Sequence, residues 1–393
     1  MTRSPQGPDV SQDSNQLIAP PGLKGVVVAD TEIGEVRGDE GFYHYREFNA
    51  IDLARSATLE QVWQLLIDGE LAPAGSGAAA EFRAEVAAGR VEAPLPDAVL
   101  DAIAGCTTEH HSGLMAALPL VLGSARPSMD QSPDERRADA VALAAVMPTL
   151  LASLHARRSG QPVLAPDPSL GHAADWLRMA TGRPSTQEQV RLMETYLLAT
   201  IDHGFNASTF AARVVTSTGA DLPAAFAAGI GALSGPLHGG APGRALDMIQ
   251  SIGSPSNTES WVTERLERGE KIMGFGHAVY RADDPRSVLL RDLVTEVAEA
   301  TGGADVVERA IDVERRTLAV LRSWKPDATI VTNVEFYAGV ALHLAGLPPE
   351  LFTPSFTVSR AIGWSAHVIE QAANNKILRP SARYTGPPPS YGH

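Results

Sequence analysis

Three short polar segments stand out in an otherwise aliphatic chain, because each contains one side chain that can move a proton. They are residues 235–240 (GPLHGG), 274–281 (GFGHAVYR) and 333–337 (NVEFY). The proton-handling side chains are His238, His277 and Glu335. Two imidazoles and a carboxylate suit a reaction that removes a proton beside a carbonyl group and stabilises the resulting enolate.

The surroundings of the two histidines differ in how strongly they indicate function. His238 lies next to glycines that allow the backbone to approach a ligand closely, but a helix-terminal loop histidine explains the same residues. His277 follows a Gly-Phe-Gly run and precedes Arg281 and Arg286, and arginine suits the planar recognition of carboxylate or phosphate. A solvated charged loop would explain Asp283 and its acidic neighbour, but not the glycine–histidine arrangement.

Glu335 and Arg360 stand out because their neighbours in sequence are apolar. Lone carboxylates mostly face solvent. The apolar neighbours of Glu335 predict burial, which raises the pKa of a carboxyl group toward that of a useful base. Arg360 falls in an apolar helical pattern over residues 352–369, where an unpaired guanidinium is unfavourable, so it needs a protein or ligand anion. Arg379 and Arg383 also fit ordinary surface positions.

A metal site is the alternative use of two histidines and a glutamate, which together form a zinc ligand set. The sequence has no HExxH helix pattern and no closely spaced ligand pair, and the nearby arginines would repel a metal ion. We therefore expect no metal. His110 and His111, in the run TEHHSG, are predicted to be structural or exposed rather than catalytic.

Composition limits the classes of protein that the chain could be. Its 393 residues suffice for one large or two moderate domains, and 44% hydrophobic residues with few aromatics favour packed helices. A formal net charge of −14 argues against a nucleic-acid-binding surface, although a pocket for an anionic substrate can still be locally basic. The single cysteine, Cys106, fits a reducing compartment.

The ends of the chain and its longest apolar run give no sign of a membrane protein. Residues 1–20 lack the apolar core of a secretion signal, so we expect a disordered arm. The run 141–154 is too short to cross a bilayer and contains Pro148, which predicts one or two buried helices. Residues 385–393 form a proline-stiffened tail. We expect a cytoplasmic protein.

The remaining patterns predict a mostly α-helical protein with a small β-hairpin region over residues 22–50, from the runs 25–29 and 41–46. Capping-box patterns at 58–61 (TLEQ) and 185–188 (STQE) predict helix starts. A further helix is expected over 224–233, opened by Asp221, and another over 307–321, ended by residues 324–326 (WKP). The polar segments then lie in loops between helices.

The chain resembles the citrate synthase family from about residue 22 to residue 386. The resemblance rests on segments that occur in the family's order. They are residues 202–213 (DHGFNASTFAAR), 235–240 (GPLHGG), 271–286 (KIMGFGHAVYRADDPR), 333–340 (NVEFYAGV), 352–371 (FTPSFTVSRAIGWSAHVIEQ) and 379–387 (RPSARYTGP). Their number and order make the resemblance highly specific.

The resemblance implies an almost entirely helical, two-domain homodimer in which a small domain closes over the substrates and excludes water. It assigns the regions as follows: a disordered arm 1–21, a large domain 22–239 continued at 347–386, a small domain 240–346 and a tail 387–393. The resemblance implies no metal or redox cofactor, and acetyl-CoA or propionyl-CoA enters as a substrate.

The resemblance also implies a role for each matching residue. Glu335 corresponds to the base that removes an α-proton from the thioester, His238 to the enolate stabiliser and His277 to the residue that polarises the ketone of oxaloacetate. His203, Arg286 and Arg360 correspond to oxaloacetate ligands, and Arg379 to one supplied across the dimer interface, which makes the active site shared. The residues placed where the family binds coenzyme A are Lys271, Gly274, Phe275, Gly276 and Arg281.

Three positions depart from the family pattern. The usual catalytic aspartate is Glu335, the usual glutamate after His203 is Gly204, and the usual Tyr-Arg-Gly near Arg46 continues with Glu47. The main expectation is citrate synthase activity with acetyl-CoA. The alternatives are a 2-methylcitrate synthase that uses propionyl-CoA, and a weakly active or non-catalytic homologue that only binds coenzyme A or oxaloacetate, which Glu335 motivates.

Overall fold

A small antiparallel sheet precedes a series of helices in the computed structural model of the protein. The structure describes residues 17–91, 95–122, 126–236, 238–239, 241–276, 280, 282–374 and 376–387. The chain divides into two units, residues 1–32 and 33–393. In the first unit, the described residues are mostly exposed and contain one 3₁₀ turn, Pro21–Leu23. The predicted domain limits at 240 and 346 remain predictions.

The second unit is predominantly helical, as the sequence predicts. Its strands are β1 Gly34–Arg37, β2 Phe42–Tyr45 and β3 Phe48–Asn49. Its described helices are α1 Ala50–Ser56, α2 Leu59–Asp68, α3 Gly77–Val91, α4 Asp97–Cys106, α5 His110–Val121, α6 Pro133–Ser159, α7 His172–Thr181, α8 Gln187–Thr200, α9 Ala207–Thr216, α10 Leu222–Leu233, α11 Ala241–Ile252, α12 Thr258–Glu267, α13 Pro285–Val297, α14 Ala304–Trp324, α15 Val334–Leu344 and α16 Phe352–Ala373.

The hairpin lies within the predicted region but uses a different first strand. The run 41–46 forms β2, whereas the run 25–29 is not a strand. Instead, β1 pairs with β2 across the short turn 38–41, so that Gly34 faces Tyr45. A short turn pairs the segments on either side of it, which explains why the nearer residues 34–37 were selected.

Most predicted helix ends agree with the structure. Thr58 and Gln61 form the expected capping box of α2, which ends at left-handed Gly69. Asp221 caps α10, with its carboxylate accepting from the Ala224 amide at 2.8 Å. The second capping box is one residue later than predicted, because Thr186 and Gln189 bond to each other in place of the expected pair 185 and 188.

The centre of the second unit contains two long apolar helices, α6 and α16. The run 141–154 belongs to one continuous helix, α6, which includes Pro148. By length and composition α6 is the one described helix that could cross a membrane, but 72% of its most apolar 18-residue window is buried inside the protein. It is therefore a core helix. On α16 almost every side chain from Phe352 to Val368 is buried, including Arg360.

Candidate active site

Glu335 is the second residue of α15, whereas the sequence predicted a loop for the segment 333–337, and the backbone holds it in place. Asn333 caps this helix, and its Oδ1 accepts a hydrogen bond from the Glu335 amide at 3.1 Å. The next two side chains, Phe336 and Tyr337, are fully buried and anchor the helix in the core. Glu335 itself is partly buried. The apolar neighbours that suggested a desolvated carboxylate therefore pack beneath it.

The glycine-rich loop before residue 277 is tied to the same helix start. The Gly276 amide donates to the Val331 carbonyl at 2.8 Å, and the Asn333 amide donates to the Gly274 carbonyl at 2.9 Å. Asn333 Nδ2 donates to the Gly276 carbonyl at 2.8 Å. Gly274 has a φ of +81°, and a Cβ there would lie 2.9 Å from the Cβ of Phe336. Glycine is thus required for this close approach.

Two of the predicted residues in this region, His277 and Arg281, lie outside the described residues. Between them, Tyr280 is described and buried. Its hydroxyl lies 3.0 Å from Nε2 of His203, the predicted oxaloacetate ligand that follows α8. On one side of the undescribed residues, Gly276 is therefore bonded to Asn333, the cap of the helix that carries Glu335. On the other side, Tyr280 contacts His203.

His238 follows α10 and is held by a serine that the sequence analysis missed. Its Nε2 lies 2.9 Å from Oγ of Ser208, the second residue of α9. Its ring packs edge-on against Phe356, with centroids 6.1 Å apart. Burial, together with the nearby positive charge of Arg360, lowers the pKa of His238 to about 4. The imidazole is therefore neutral at neutral pH and can donate a hydrogen bond without being an acid.

Ser208 controls which nitrogen of His238 carries the proton. The serine hydroxyl has one hydrogen, and Asn206 Oδ1 at 2.7 Å competes with the imidazole for it. When Ser208 donates to Nε2, the proton of the neutral ring must lie on Nδ1, which then becomes the donor for a ligand. Ser208 lies in segment 202–213, which carries the family resemblance, but nothing in the sequence predicts its contact with His238, 30 residues away.

We expect Ser208→Ala to lower kcat about tenfold, since one hydrogen bond of roughly 1.4 kcal/mol that fixes the tautomer is lost. The KM for the thioester should change little, because the imidazole remains in place. Steady-state CoA release measures both constants, and Ser251→Ala, on the exposed side of α11, is the matched control. A raised KM with unchanged kcat would contradict the tautomer argument.

Arg286 is buried beside the helix that carries Glu335, and a buried aspartate fixes it there. The guanidinium Nε and Nη2 donate to the Asp284 carboxylate at 3.0 and 2.9 Å. Asp284 Oδ2 also accepts a hydrogen bond from the amide of Val334, the first residue of α15, at 3.0 Å. Asp284 is fully buried. One carboxylate therefore orients both the predicted oxaloacetate ligand and the helix of the predicted base.

Arg360 is a buried guanidinium that is only partly satisfied by the protein. The residue is 1% exposed, and its Nε donates to the Thr200 carbonyl at 3.1 Å. Its Nη1 is buried and has no hydrogen-bond partner in the described part of the chain. Burial lowers the pKa of Arg360, with Asp202 opposing this effect. An unpaired buried donor on a cation is unfavourable, so this geometry indicates an anionic ligand.

The turn that carries His203 is fixed by a buried aspartate on one side and by ring packing on the other. Asp202 Oδ1 lies 3.1 Å from His367 Nε2, and its Oδ2 accepts from the Gly204 amide at 3.0 Å. The His203 ring lies 5.6 Å from that of Tyr43. Gly204 has a φ of +60°, a left-handed conformation that glycine adopts without strain. The departure from the family's glutamate therefore suits the local backbone.

The environment of Glu335 makes it a carboxylate that can both take and release a proton near neutral pH. Burial raises the pKa of Glu335 to about 7, with Arg286 opposing, Asp284 reinforcing and Arg360 opposing the rise. A general base works best when its pKa lies close to the working pH. The raised pKa therefore fits the role that the sequence predicted.

One cavity of about 610 Å³ brings together much of the predicted site. Its lining includes His238, Glu335 and Asn333, together with four predicted loop residues, Lys271, Gly274, Phe275 and Gly276. Residues that the sequence analysis did not assign complete the lining, among them Leu321, Trp324, Lys325 and Ile330. Arg379 is absent from this lining and is exposed on the extended segment after α16.

The structure also places the histidines that were expected to be structural. His111 is buried, and its Nε2 lies 2.8 Å from Thr357 Oγ1. His110 Nε2 lies 3.2 Å from His155 Nδ1, away from the site cavity. Within the described ranges, no group of three or more histidine, cysteine, aspartate or glutamate residues could hold a metal ion.

The described groups together suit enolate chemistry. Glu335, with its raised pKa, and His238, as a neutral donor, line the same cavity. The first can remove a proton beside a carbonyl, and the second can stabilise the negative charge that develops on the carbonyl oxygen. The unpaired nitrogen of Arg360 offers a position for a carboxylate.

Comparison with known proteins identifies the family. A family model described as "Citrate synthase, C-terminal domain" matches residues 22–381. The citrate synthase of Haloferax volcanii is 38% identical over 374 residues, which cover 93% of this chain and 95% of the relative. A 2-methylcitrate synthase of Mycobacterium tuberculosis is 37% identical over 366 residues, which cover 93% of this chain and 90% of the relative.

Solved structures agree with this assignment. The citrate synthase of Thermoplasma acidophilum, in a ternary complex with carboxymethyl coenzyme A and oxaloacetate, matches with a TM-score of 0.84 and 28% identity. The alignment covers 94% of this chain and 97% of that one. The citrate synthase of Thermotoga maritima matches with a TM-score of 0.80 and 31% identity, over 93% and 96% of the two chains. The chain therefore belongs to the citrate synthase family of acyltransferases.

Proposed function

We propose that this enzyme condenses acetyl-CoA with oxaloacetate and hydrolyses the citryl thioester to citrate and CoA. The observation that carries the proposal is the pairing, in one cavity, of Glu335, whose pKa is about 7, with a neutral His238. An α-thioester proton is a very weak acid, so a base alone is insufficient and the enolate must be stabilised as it forms. The cavity supplies both functions.

The proposed reaction begins at the thioester. The Glu335 carboxylate takes a proton from the α-carbon, and the electron pair moves onto the carbonyl oxygen, which accepts a hydrogen bond from His238. The enol carbon then attacks the ketone carbon of oxaloacetate, and the ketone oxygen becomes a hydroxyl after protonation, the role proposed for His277. Water finally displaces the CoA thiol from the thioester carbon.

Two buried arginines support oxaloacetate as the second substrate. Oxaloacetate carries two carboxylates, and arginine recognises such groups with paired hydrogen bonds. Arg286 is oriented by Asp284, and Arg360 has an unpaired buried Nη1. His203, held by Tyr280, is the third proposed ligand. This arrangement explains how a chain with a net charge of −14 can bind a dianion.

Coenzyme A is the proposed occupant of the remaining cavity. Lys271 and Lys325 both line it, and their charges can pair with the phosphates of the cofactor-like substrate. Apolar neighbours, including Leu266 and Leu321, suit its uncharged arm. Lys271, Gly274, Phe275, Gly276 and Arg281 remain the residues proposed for this binding.

The first test is CoA thiol release with oxaloacetate and either acetyl-CoA or propionyl-CoA. We expect kcat/KM to be higher for acetyl-CoA, by about tenfold, since one methylene in a pocket is worth roughly that factor. Faster turnover with propionyl-CoA would make the protein a 2-methylcitrate synthase. Binding of both substrates without turnover of either thioester would make it the non-catalytic homologue.

The pH dependence of the reaction tests the base. Glu335 must be deprotonated to accept a proton, and its pKa is raised to about 7. We therefore expect kcat/KM for acetyl-CoA to fall about tenfold per pH unit below pH 7 and to level off above it. Rates measured from pH 5.5 to 8.5 check this. A profile that stays flat down to pH 5.5 would exclude a base with this pKa.

We further propose a homodimer in which Arg379 completes the partner's active site. In the isolated chain this residue is exposed, on a segment anchored where the Leu378 amide donates to Ser217 Oγ at 3.0 Å. Arg379→Ala and Glu335→Gln should each be inactive. Co-refolded in equal amounts, they should recover about a quarter of the wild-type rate, because half the dimers are hybrids with one intact site of two. No recovery would contradict a shared site.

A cytoplasmic location is proposed on the cysteine content of the chain. Its single cysteine, Cys106, is exposed and free. Such a thiol is stable in a reducing compartment and prone to oxidation elsewhere. Fractionation of the source cells, followed by immunodetection, tests the location.

A further inference from the structure

A second cavity, of about 360 Å³, lies between α13 and α14 and is distinct from the one that contains His238 and Glu335. One wall is formed by positions 284, 287, 288 and 291 of the α13 region, and the opposite wall by positions 311, 314, 315, 318 and 322 of α14. Such spacings of three and four residues place each set on one helix face. Residues 331 and 332 close the space between them. We call this the α13–α14 cavity.

The charged groups of this cavity include three guanidinium groups that are paired weakly or not at all within it. Arg322 forms no ion pair in the described part of the chain. Arg291 reaches Glu314 and Asp292 only at 4.0 Å. Arg315 pairs with Asp312, a residue outside the cavity lining. Three arginines around one space of this size can bind a carboxylate or phosphate group.

Two of the carboxylates that line the cavity already have strong partners. Asp284 is bonded bidentately to Arg286. Glu314 Oε2 accepts the Tyr337 hydroxyl at 2.6 Å. Asp283, like Arg315 and Arg322, is exposed to solvent, where charges are screened. The repulsion that these groups exert on an anion is therefore smaller than their number suggests.

The inner part of the cavity combines apolar side chains with one unused polar group. Val288, Leu318 and Val331 contribute apolar surface. Thr332 is 7% exposed, and its hydroxyl has no hydrogen-bond partner in the described residues. A buried hydroxyl without a partner is unfavourable unless a ligand or water satisfies it.

We propose that the α13–α14 cavity binds a small amphipathic anion. Its carboxylate or phosphate group is held by Arg291, Arg315 and Arg322, and its short apolar body lies against the inner wall near Thr332. The volume fits a small molecule rather than a peptide or a second protein. The three arginines and Thr332 have no assigned part in the proposed condensation reaction, so this binding site goes beyond it.

The cavity shares two structural elements with the catalytic site. Asp284 lines it and also holds Arg286 and the start of α15. Thr332 lines it and directly precedes Asn333, the cap of the helix that carries Glu335. An occupant that shifts either residue therefore changes the binding of oxaloacetate, so we expect the bound anion to alter the KM for that substrate.

Calorimetric titration tests the site in protein saturated with CoA and oxaloacetate, so that the catalytic cavity is filled. The probes are octanoate, hexyl phosphate, inorganic phosphate and hexanol. We expect octanoate, hexyl phosphate or both to bind, which identifies the preferred charged group, while phosphate alone and hexanol bind at least about tenfold more weakly. Absence of binding by both amphipathic anions would overturn the proposal.

Matched variants locate the bound probe. The double variant Arg315→Ala, Arg322→Ala should weaken binding about tenfold or more, since two cationic partners are lost. Thr332→Val, which keeps the shape and removes the hydroxyl, should weaken it less. Arg309→Ala, also on α14 but outside the lining, should leave affinity unchanged. Binding that survives the double variant, or that is lost in Lys325→Ala, would place the anion elsewhere and overturn the proposal.

The kinetic consequence is tested with whichever probe binds. Its addition should change the KM for oxaloacetate at least twofold in the wild-type enzyme and leave that constant unaltered in the double variant. An equal change in both proteins would mean that the probe acts at the catalytic cavity, which contradicts communication from the α13–α14 cavity.

Discussion

Glu335→Gln is expected to lower kcat by about three orders of magnitude, because glutamine cannot accept the α-proton and general-base catalysis contributes roughly that factor. Glutamine matches glutamate in size, so the KM for oxaloacetate should change little. CoA release under saturating substrates measures the effect. A variant that keeps its full rate would show that the base lies elsewhere.

Glu335→Asp separates the chemistry of the base from its position. Aspartate remains a carboxylate but is one methylene shorter, which withdraws the oxygens by roughly 1.5 Å. A misplacement of about 1 Å can lower a rate a hundredfold, so we expect the kcat of the aspartate variant to lie between those of wild type and the glutamine variant. Faster turnover by the aspartate variant would mean that the structure around residue 335 is not adapted to the longer side chain.

The free energy of unfolding of Glu335→Gln, measured against pH, shows whether this variant is folded. The pKa of Glu335 is raised from its ordinary value of 4.5 to about 7 in the folded state. Between these pH values the folded protein binds more protons than the unfolded chain, so the free energy of unfolding falls as pH rises. Glutamine does not titrate, so the variant lacks this fall in the free energy of unfolding. We therefore expect the free energy of unfolding of the variant, relative to that of wild type, to be roughly 2 kcal/mol higher at pH 8 than at pH 5.

The sequence predicted the elements and residues whose signals are local. Capping residues such as Thr58 and Asp221 act within one turn, so they located the starts of α2 and α10. Glu335 was identifiable because its apolar neighbours in sequence also bury it. Gly274 and Gly276 were singled out as neighbours of His277, but their positive φ angles and their partners in the 331–333 segment came from the structure.

Contacts between distant segments could not be predicted in this way. Ser208 orients His238 across 30 residues, and Asp284 bonds the Val334 amide across 50. No local sequence pattern predicts either contact, because it is helix packing that brings the two residues of each pair together. The capping box at Thr186 was misplaced by one residue since two overlapping patterns compete there. The roles of the predicted site residues, His277, Arg281 and Arg379 among them, and the domain limits stay predictions.

Asp284→Asn is expected to reduce kcat/KM for oxaloacetate by about two to three orders of magnitude. The carboxylate holds the Arg286 guanidinium through two hydrogen bonds in a fully buried position. Asparagine removes the negative charge and turns an NH₂ donor toward one of the same groups. Loss of one partner from a buried ion pair costs about 3–5 kcal/mol, part of which appears as lost substrate binding. Steady-state kinetics with varied oxaloacetate measures the change.

The pH profile of the same variant distinguishes a role in orienting the site from a general loss of folding. The negative charge of Asp284 raises the pKa of Glu335, while Arg286 lowers it. Removing the aspartate charge leaves the arginine unopposed, so the pKa of Glu335 falls and the acid limb of kcat/KM moves to lower pH. Asp305→Asn, an exposed residue at the start of α14, should leave the profile unchanged. If the acid limb of Asp284→Asn did not move, the charge of Asp284 would not influence the pKa of Glu335, and its role would be limited to packing.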